Sequence, residues 1–364
     1  MRRLLFTFLF TITSTAIAND TDLPGLAKLK PLFDYWIRDT YVTYVEADDT
    51  YYMTGTTSDP KRDFPGVPHA RDFNDGIYVF KSKDLVDWQP LGLVWSFEKD
   101  ATWHNEFVLS APDERNLADF SGMQDRRRSV WAPEIHFVND NFYIVGCMNW
   151  HPSDDTEENG RVFLLESTSG KPEGPYRDPV GKPLGNRIDP SLFEDDDGSV
   201  YFVWQENRIA KMKPDMSGFA EDPRRLSDEK FPDTPDAQGV YITKKDGLYY
   251  LIQAIWWKRS KNGDEGYFRD GTALYYDCVV STSKNIYGPY GKKYTAIRGA
   301  GHNNLFEDRD GNWWATYFGN PVGAMRPSFT ARPAIIPLKF DAEGKLSADW
   351  DKVGTSKTGS LDRN

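Results

Sequence analysis

The chain has 364 residues, of which 39% are hydrophobic and 27% are charged, which is enough apolar material for a large folded core and excludes a disordered chain. The net charge is −11, and because nucleic-acid-binding domains carry a basic face, this charge excludes that class of function. Aromatic residues make up 15% of the chain, which favours β-strands.

The N-terminus has the pattern of a signal peptide. Two arginines precede a short apolar stretch, which ends at the small residues Ala16 and Ala18. A membrane span needs about 20 apolar residues, and this stretch is too short and too rich in threonine. We therefore expect residues 1–18 to direct export to the periplasm or the outside, a mature chain from Asn19, and no membrane span.

A hairpin-like unit recurs along the rest of the chain. Each copy has an apolar strand, a turn rich in Asp, Asn and Gly, and a second strand ending in aromatic residues. The copies lie at residues 38–53, 131–144, 188–202, 238–251 and 302–315. Two further strand-like runs follow most copies, as at residues 76–80 and 162–165.

Four strands in each of five units are typical of an all-β, five-bladed β-propeller. A two-sheet β-sandwich is the competing all-β architecture, but it does not predict five similar hairpins. We therefore expect residues 19–364 to form a single propeller domain, with an insertion around residues 100–128 at one mouth of its funnel. Cys147 and Cys278 fall in non-adjacent blades, which favours two buried free thiols, although an exported protein could pair them.

The first strand of each blade lines the central channel of a propeller. We therefore expect the start of each repeat to point polar side chains into the funnel. The residues at those starts are Asp39, Glu134, Asp189, Gln238 and His302. This ring is the strongest functional signal in the sequence, because unrelated loop residues would not share one register.

At these positions the chain resembles glycoside hydrolase family 43. Arg-Asp-Thr-Tyr-Val at residues 38–42 resembles that family's opening Arg-Asp-Pro-Tyr-Ile motif, and residues 82–88 are similar to its Ser-Lys-Asp-Leu-x-x-Trp stretch. Trp-Ala-Pro-Glu at residues 131–134, Ile-Asp-Pro-Ser-Leu-Phe at 188–193 and Gly-His-Asn at 301–303 resemble three further motifs of the family. The resemblance runs from Asp39 to Phe340 and implies a five-bladed propeller and inverting hydrolysis of arabinosides, xylosides or galactosides.

The fourth repeat departs from the family pattern. The family's general acid is a Glu directly before a Gly, and this chain has Gln238 there. Since a glutamine cannot donate a proton to a leaving group, three alternatives stay open. The acid has moved to another residue, the reaction needs little acid assistance, or the propeller binds glycans without cleaving them.

Inverting hydrolysis uses two carboxyl groups about 6.5–9.5 Å apart, one to activate water and one to protonate the leaving oxygen. Asp39 is the candidate base, and the resemblance makes Asp189 the carboxylate that orients the acid and adjusts its pKa. Glu134 is the preferred acid, ahead of His302 and Asp236, because neighbouring carboxylates would raise its pKa. Exposed histidines at positions 69 and 104 are weaker choices for the proton donor.

The remaining functional expectations concern ligands. Gln238, His302, Asp236 and Trp131 are expected to contact the carbohydrate substrate, and Arg332 could bind a carboxylate or sulfate on it. The net charge does not exclude a local basic pocket for an acidic or sulfated sugar. No cofactor is expected, although the resemblance allows a structural calcium ion at the propeller centre. The sequence leaves the sugar, the linkage and the oligomeric state open.

Overall fold

The computed structural model describes residues 25–58, 74–107, 129–148, 160–226, 228–229, 237–258, 274–320, 327–354 and 360–361. Short 3-10 turns occur at Leu26–Lys28, Glu46–Asp48 and Trp103–Phe107. The strands, numbered in chain order, are β1 (Ile37–Val45), β2 (Thr50–Thr57), β3 (Gly76–Ser82), β4 (Asp87–Ser96), β5 (Val130–Val138), β6 (Asn141–Met148), β7 (Arg161–Ser167), β8 (Tyr176–Arg177), β9 (Gly185–Asn186), β10 (Ser191–Glu194), β11 (Val200–Trp204), β12 (Arg208–Lys211), β13 (Arg224–Arg225), β14 (Asp228–Glu229), β15 (Gln238–Lys245), β16 (Leu248–Lys258), β17 (Leu274–Ser283), β18 (Tyr290–Lys292), β19 (Tyr294–Ile297), β20 (Leu305–Glu307), β21 (Trp313–Tyr317), β22 (Ala334–Phe340), β23 (Leu346–Ala348) and β24 (Ser360–Leu361).

The described strands form five antiparallel sheets that follow one another along the chain. Their strand orders are β1-β2-β3-β4, β5-β6-β7-β8, β10-β11-β12-β13, β15-β16-β17-β19 and β20-β21-β22-β23. Strand β9 adds to β7, β24 runs parallel to β4, and β14 runs parallel to β18. The arrangement is a five-bladed β-propeller, as the repeats predict.

The five predicted hairpins are the two inner strands of the five blades. In the fourth blade Lys245 pairs with Leu248, which leaves Asp246 and Gly247 as a two-residue turn. Both residues have positive φ, at 51° and 76°, as a hairpin turn that matches strand twist requires. The Asp-Gly signal in the sequence therefore identified the turn for a physical reason.

Apolar layers fill the spaces between neighbouring blades. Each layer joins buried side chains of one blade to those of the next, and examples are Ile77 with Ile135, Val145 with Phe202, Val203 with Leu251, Ile252 with Ala315, and Val42 with Phe306. Cys147 and Cys278 lie in two different layers, where both are buried and free. The prediction of two buried free thiols is confirmed.

The ring closes between the last blade and the first through buried hydrogen bonds. Asn304 accepts from the backbone N–H of Val42 at 2.9 Å and donates to the carbonyl of the same residue at 2.7 Å. Strand β1 is also held by the N–H of Ile37, which donates to the carbonyl of Ala331 at 3.0 Å. One asparagine thus satisfies both backbone groups of a residue that is far away in the sequence.

We expect Asn304→Ala to lower the free energy of unfolding by about 2–4 kcal/mol, because it leaves two buried backbone groups of Val42 without a partner. Urea denaturation followed by intrinsic fluorescence measures this change. The control is Asn105→Ala, since Asn105 is exposed and makes one 3.5 Å hydrogen bond to Ala101. Equal stability of the two variants would contradict the proposed role of Asn304 in closing the ring.

Candidate functional site

The first strand of every blade enters the channel through a residue with left-handed backbone. These residues are Asp39, Ala132, Asp189, Gly239 and His302, with φ between 44° and 57°. In three blades the strand pairing slips at this point, which identifies a β-bulge. A left-handed conformation costs about 1–3 kcal/mol for a residue other than glycine, so its repetition in five blades shows that it serves the channel.

The bulge corrects the predicted ring of equivalent residues. Asp39, Asp189 and His302 do occupy equivalent left-handed positions, but Gln238 lies one residue before that position and Glu134 lies two residues after it. The same bulge occurs beside Asp39, Ala132 and Gly239, so these three residues align, and Gln238 and Glu134 stand at other positions of their strands. The five expected residues therefore do not share one equivalent position.

Asp39, Asp189 and His302 meet at the axis of the propeller. His302 Nδ1 lies 3.5 Å from Asp39 Oδ1 and 3.6 Å from Asp189 Oδ2, and all three side chains are buried. Thr56 donates to Asp39 Oδ2 at 2.8 Å, and the N–H of Gly239 donates to Asp189 Oδ2 at 2.9 Å. These bonds fix both carboxylates on either side of the imidazole.

Burial and neighbouring charges have opposing effects on the pKa values of His302 and Asp189. Burial alone would lower the pKa of His302, but the carboxylates of Asp189, Asp39 and Glu134 outweigh it, so the pKa of His302 is raised. Burial raises the pKa of Asp189, and the neighbouring Asp39 adds to that rise, while His302 and the Gly239 N–H oppose it. The centre is therefore a buried group of coupled proton sites, which is typical of functional sites.

Gly239 is needed at this place because of His302. A Cβ atom on residue 239 would lie 2.9 Å from Cγ of His302, and the backbone has a φ of 50°. Glycine therefore lets the chain pass directly beside the imidazole while its N–H reaches Asp189.

Glu134 pairs with a different histidine, His136. Glu134 is buried, and burial raises its pKa to about 8, against smaller opposing effects of Ser191 and His302. Its Oε2 lies 2.9 Å from Nε2 of His136, whose Nδ1 lies 3.2 Å from the hydroxyl of Tyr41. Burial lowers the pKa of His136 to about 3, so this imidazole is neutral. At neutral pH the protonated Glu134 therefore donates to His136 Nε2, and His136 Nδ1–H donates to Tyr41.

Gln238 lies at the edge of the funnel, partly exposed, where the hydroxyl of Tyr276 donates to its Oε1 at 3.5 Å. Arg38 lies between Trp131 and the cluster, because its guanidinium lies 5.4 Å from the Trp131 ring and 4.0 Å from Asp39 Oδ2. The Arg38 side chain is thus held against both an aromatic ring and the candidate base.

Three site residues were missed by sequence reasoning. Arg38 directly precedes Asp39, and His136 lies two residues after Glu134 on the same face of β5, so alternation along a strand could have indicated His136. Thr56 comes from the partner strand β2, and its approach to Asp39 depends on the pairing register, which no local signal gives.

Other predicted residues lie elsewhere. The Nε of Arg332 donates to Asp34 at 2.6 Å, and its Nη1 to the carbonyl of Ala331 at 3.1 Å, so the structure pairs it with a surface carboxylate. The expected exposure of His104 is wrong: its side chain is fully buried, stacks on Trp103 at 4.0 Å, and burial lowers its pKa to about 3. The signal peptide, Asp236, His69 and the end of the predicted insertion lie outside the described residues.

The described ranges contain neither a metal-binding cluster nor a membrane-spanning helix. There, no group of three or more His, Cys, Asp and Glu side chains is arranged to hold a metal ion, so the calcium ion that the resemblance allows is assigned no ligands. No helix in the described part of the chain is long and apolar enough to cross a membrane.

Chemically, the arrangement suits proton transfer on a small polar ligand. Asp39 and Asp189 present carboxylates on either side of His302, and Glu134 holds a proton at neutral pH. One group that accepts a proton and another that donates one, both in a buried funnel, are what general acid–base catalysis requires.

Comparison with known families gives one match over most of the chain. The model described as "Glycosyl hydrolases family 43" matches residues 29–346. Solved structures with the same fold include a family 43 protein from Bacillus licheniformis, with a TM-score of 0.60 and 23% identity, covering 88% of this chain and 56% of that one. A thermostable family 43 glycoside hydrolase has a TM-score of 0.57 and 21% identity, covering 86% of this chain and 92% of that one.

Curated relatives carry glycosidase names. The chain is 27% identical over 325 residues to a non-reducing-end α-L-arabinofuranosidase of Bacteroides ovatus, covering 83% of this chain and 52% of that protein. It is 26% identical over 314 residues to a putative β-xylosidase of Escherichia coli, covering 78% and 49%. It is 28% identical over 345 residues to a β-D-galactofuranosidase of Aspergillus niger, covering 86% of each. The chain thus spans about half the length of the first two relatives.

We expect Asp189→Asn to lower the pKa of His302, because the change removes the carboxylate that contributes most to raising it. NMR titration of the histidine side chains measures this, and with five histidines in the chain the His302 signal is assigned from a His302→Gln variant. Asp246→Asn is the control, since Asp246 is an exposed carboxylate at a hairpin turn. An unchanged His302 titration in Asp189→Asn would contradict the described cluster.

Proposed function

The chain belongs to glycosyl hydrolases family 43, and from this membership we propose that it is an exported glycoside hydrolase that inverts the anomeric centre and releases terminal sugars. The names of its relatives favour a pentosyl or galactofuranosyl residue at the cleaved end. The observation that carries the proposal is a protonated Glu134 in the same buried funnel as the paired carboxylates Asp39 and Asp189.

Asp39 is the proposed general base. Its Oδ2 accepts from Thr56 and its Oδ1 faces His302, so both oxygens have fixed directions. A water molecule bound beside Asp39 would lose a proton to the carboxylate as it attacks the anomeric carbon. Arg38 Nη2 lies 4.0 Å from Asp39 Oδ2 and places a positive charge beside the proposed base.

Glu134 is the proposed general acid. Its pKa of about 8, raised by burial, keeps it protonated at neutral pH. Before a substrate binds, His136 accepts the hydrogen bond from its carboxyl group. During cleavage the proton passes to the glycosidic oxygen and the resulting carboxylate is stabilised by Ser191 and by the charge of His302, both of which favour the ionised form. This arrangement supplies the function that Gln238 cannot perform.

Asp189 and His302 are proposed to position these groups. Asp189 is fixed by the N–H of Gly239, directly after Gln238, and His302 sits between Asp189 and Asp39. Exo action is proposed from the length of the segment between the first two repeats in the sequence. The second candidate function is glycan binding without cleavage, and the observation that favours it is Gln238 itself.

Asp39→Asn is expected to reduce turnover of the accepted glycan by at least about 10³-fold, because the amide cannot accept a proton from water, and to leave glycan binding largely intact. Product release measured by chromatography and binding measured by calorimetry separate the two effects. If the wild-type protein releases no sugar from arabinan, xylan and galactan oligosaccharides, and binding persists, the hydrolase proposal fails and the binding function replaces it.

Glu134→Gln is expected to slow cleavage of natural oligosaccharides by about 10²–10⁴-fold but to spare aryl glycosides with a good leaving group, which need little protonation. In the wild type, the rate should fall as the pH rises through about 8, since the acid form of Glu134 is lost there. Glu134→Gln should remove that alkaline limb. Equal losses on both kinds of substrate would assign the proton donor to another residue.

A further inference from the structure

A charged cluster lies on the funnel side of the third blade, next to the site but outside the proposed machinery. Its centre is Glu206, in the three-residue turn between β11 and β12. The neighbouring Gln205 exchanges hydrogen bonds with Ile188, since its N–H donates to the Ile188 carbonyl at 3.1 Å and its Oε1 accepts from the Ile188 N–H at 3.3 Å. Ile188 directly precedes Asp189, so the turn is fixed to the rim of the funnel.

The same turn also contacts the fourth blade. The N–H of Glu206 donates to the carbonyl of Ala237 at 3.2 Å, and Ala237 directly precedes Gln238. Glu206 therefore sits between the chain segments that carry Asp189 and Gln238. A group bound here would lie at the rim of the funnel, between the segments that carry Asp189 and Gln238.

Three arginines surround this single carboxylate. Arg187 Nη2 lies 3.1 Å from Glu206 Oε1, Arg208 Nη2 lies 2.9 Å from Oε2, and Arg225 Nη2 bonds to the same Oε2. Their side chains are 16%, 27% and 60% exposed, respectively. The three guanidinium groups form a row that begins two residues before Asp189 and ends on the outer strand of the blade, and we call them the arginine row.

Backbone strain accompanies the cluster. Glu206 has a φ of 66°, Asn207 of 58°, and Arg187 of 86°. Glycine would adopt these conformations without cost, whereas each of these residues costs about 1–3 kcal/mol. The positive φ values of Glu206 and Asn207 belong to the hairpin turn between β11 and β12, whereas Arg187 lies outside that turn, directly before Ile188.

The three positive charges of the arginine row face a single negative charge, that of Glu206. Arg208 and Arg225 share one oxygen of Glu206, and each bonds to it through a single nitrogen. The other N–H donors of both guanidinium groups therefore point away from that oxygen. A half-exposed ion pair contributes little to stability, about 0–1 kcal/mol, so stability alone does not explain a second arginine on an oxygen that already has one. Forked guanidinium donors match the two oxygens of a carboxylate or a sulfate ester.

We propose that the arginine row binds an oxyanion group, the carboxylate of a uronic acid or a sulfate ester, on a part of the glycan that lies at the rim of the funnel. The proposal rests on the proposed function in taking a glycan as the ligand, and it makes an acidic glycan the substrate class. The chain has a net charge of −11, so its overall field repels an acidic polymer. A local row of arginines is what allows such a polymer to approach this one face.

Binding to matched pairs of glycans tests the proposal. The protein carries Asp39→Asn so that nothing is cleaved, and calorimetry compares an oligosaccharide bearing glucuronic acid with its carboxyl-reduced form, and a sulfated oligosaccharide with its desulfated form. The acidic member of at least one pair should bind at least about tenfold more tightly, and this preference should weaken as salt is raised. The pair that shows the preference identifies the oxyanion. Equal binding within both pairs overturns the proposal.

Variants then assign the preference to the row. Arg225→Gln and Arg208→Gln should each weaken acidic binding about tenfold and leave neutral binding unchanged. The matched control is Arg177→Gln, because Arg177 is 67% exposed and pairs with Glu166 in the second blade. If Arg177→Gln has the same effect as Arg225→Gln, the row is not the site.

Glu206→Gln gives an effect of opposite sign. Removing the competing carboxylate should strengthen acidic binding severalfold, whereas a purely structural cluster would lose stability and gain no affinity. Circular dichroism checks that each variant is folded at the temperature of the binding measurement. The failures are distinguishable: charge-selective binding without any hydrolysis overturns only the proposed function, and hydrolysis without charge-selective binding overturns only the arginine row.

Discussion

The left-handed residue at the start of each inner strand is the constraint on which this site depends. It occurs five times, and at three of the positions it is filled by Asp39, Asp189 and His302, whose side chains meet at the axis. The other two positions hold Ala132 and Gly239, which have almost no side chain. Gly239 leaves room for the imidazole of His302, which a Cβ atom at residue 239 would approach to 2.9 Å, so the same backbone conformation both directs functional groups to the centre and lets the neighbouring chain pass close to them.

Which group carries a proton depends on its position relative to the left-handed residue. At that residue, the carboxylates of Asp39 and Asp189 face the imidazole of His302 and raise its pKa, so charge is compensated within the cluster. Glu134, two residues further into β5, is buried with a neutral His136 as its hydrogen-bond partner. Burial outweighs the opposing effects of Ser191 and His302 and gives Glu134 a pKa of about 8. Under the proposed mechanism, burial thus supplies a protonated carboxyl group in place of the family's usual glutamate.

Much of this architecture was predictable because its signals are local. Hairpin turns such as that at Asp246 and Gly247 need positive φ, and the alternation of apolar residues on either side gives the strands, so five repeats were enough to give the fold. The motifs around Asp39, Asp189 and His302 also predicted the three residues of the cluster. What failed was the alignment of Glu134 and Gln238 with Asp39, because the equivalent positions are those of the left-handed residues, which the motifs do not mark. The arginines around Glu206 were missed since their meeting depends on contacts between separate strands.

The position of the arginine row bears on why the family's acid could be replaced. Glu206 is joined to Ala237, and Asp189 is joined to Gly239, so Gln238 is held between a basic rim and an acidic centre. Positive charge near residue 238 would lower the pKa of a glutamate there, whereas the carboxylate of Asp189 would raise it. An ionised group cannot act as the acid. If the row binds an acidic glycan, the same positive charge that recognises the substrate favours the ionised form of an acid at residue 238, whereas burial favours the proton on Glu134.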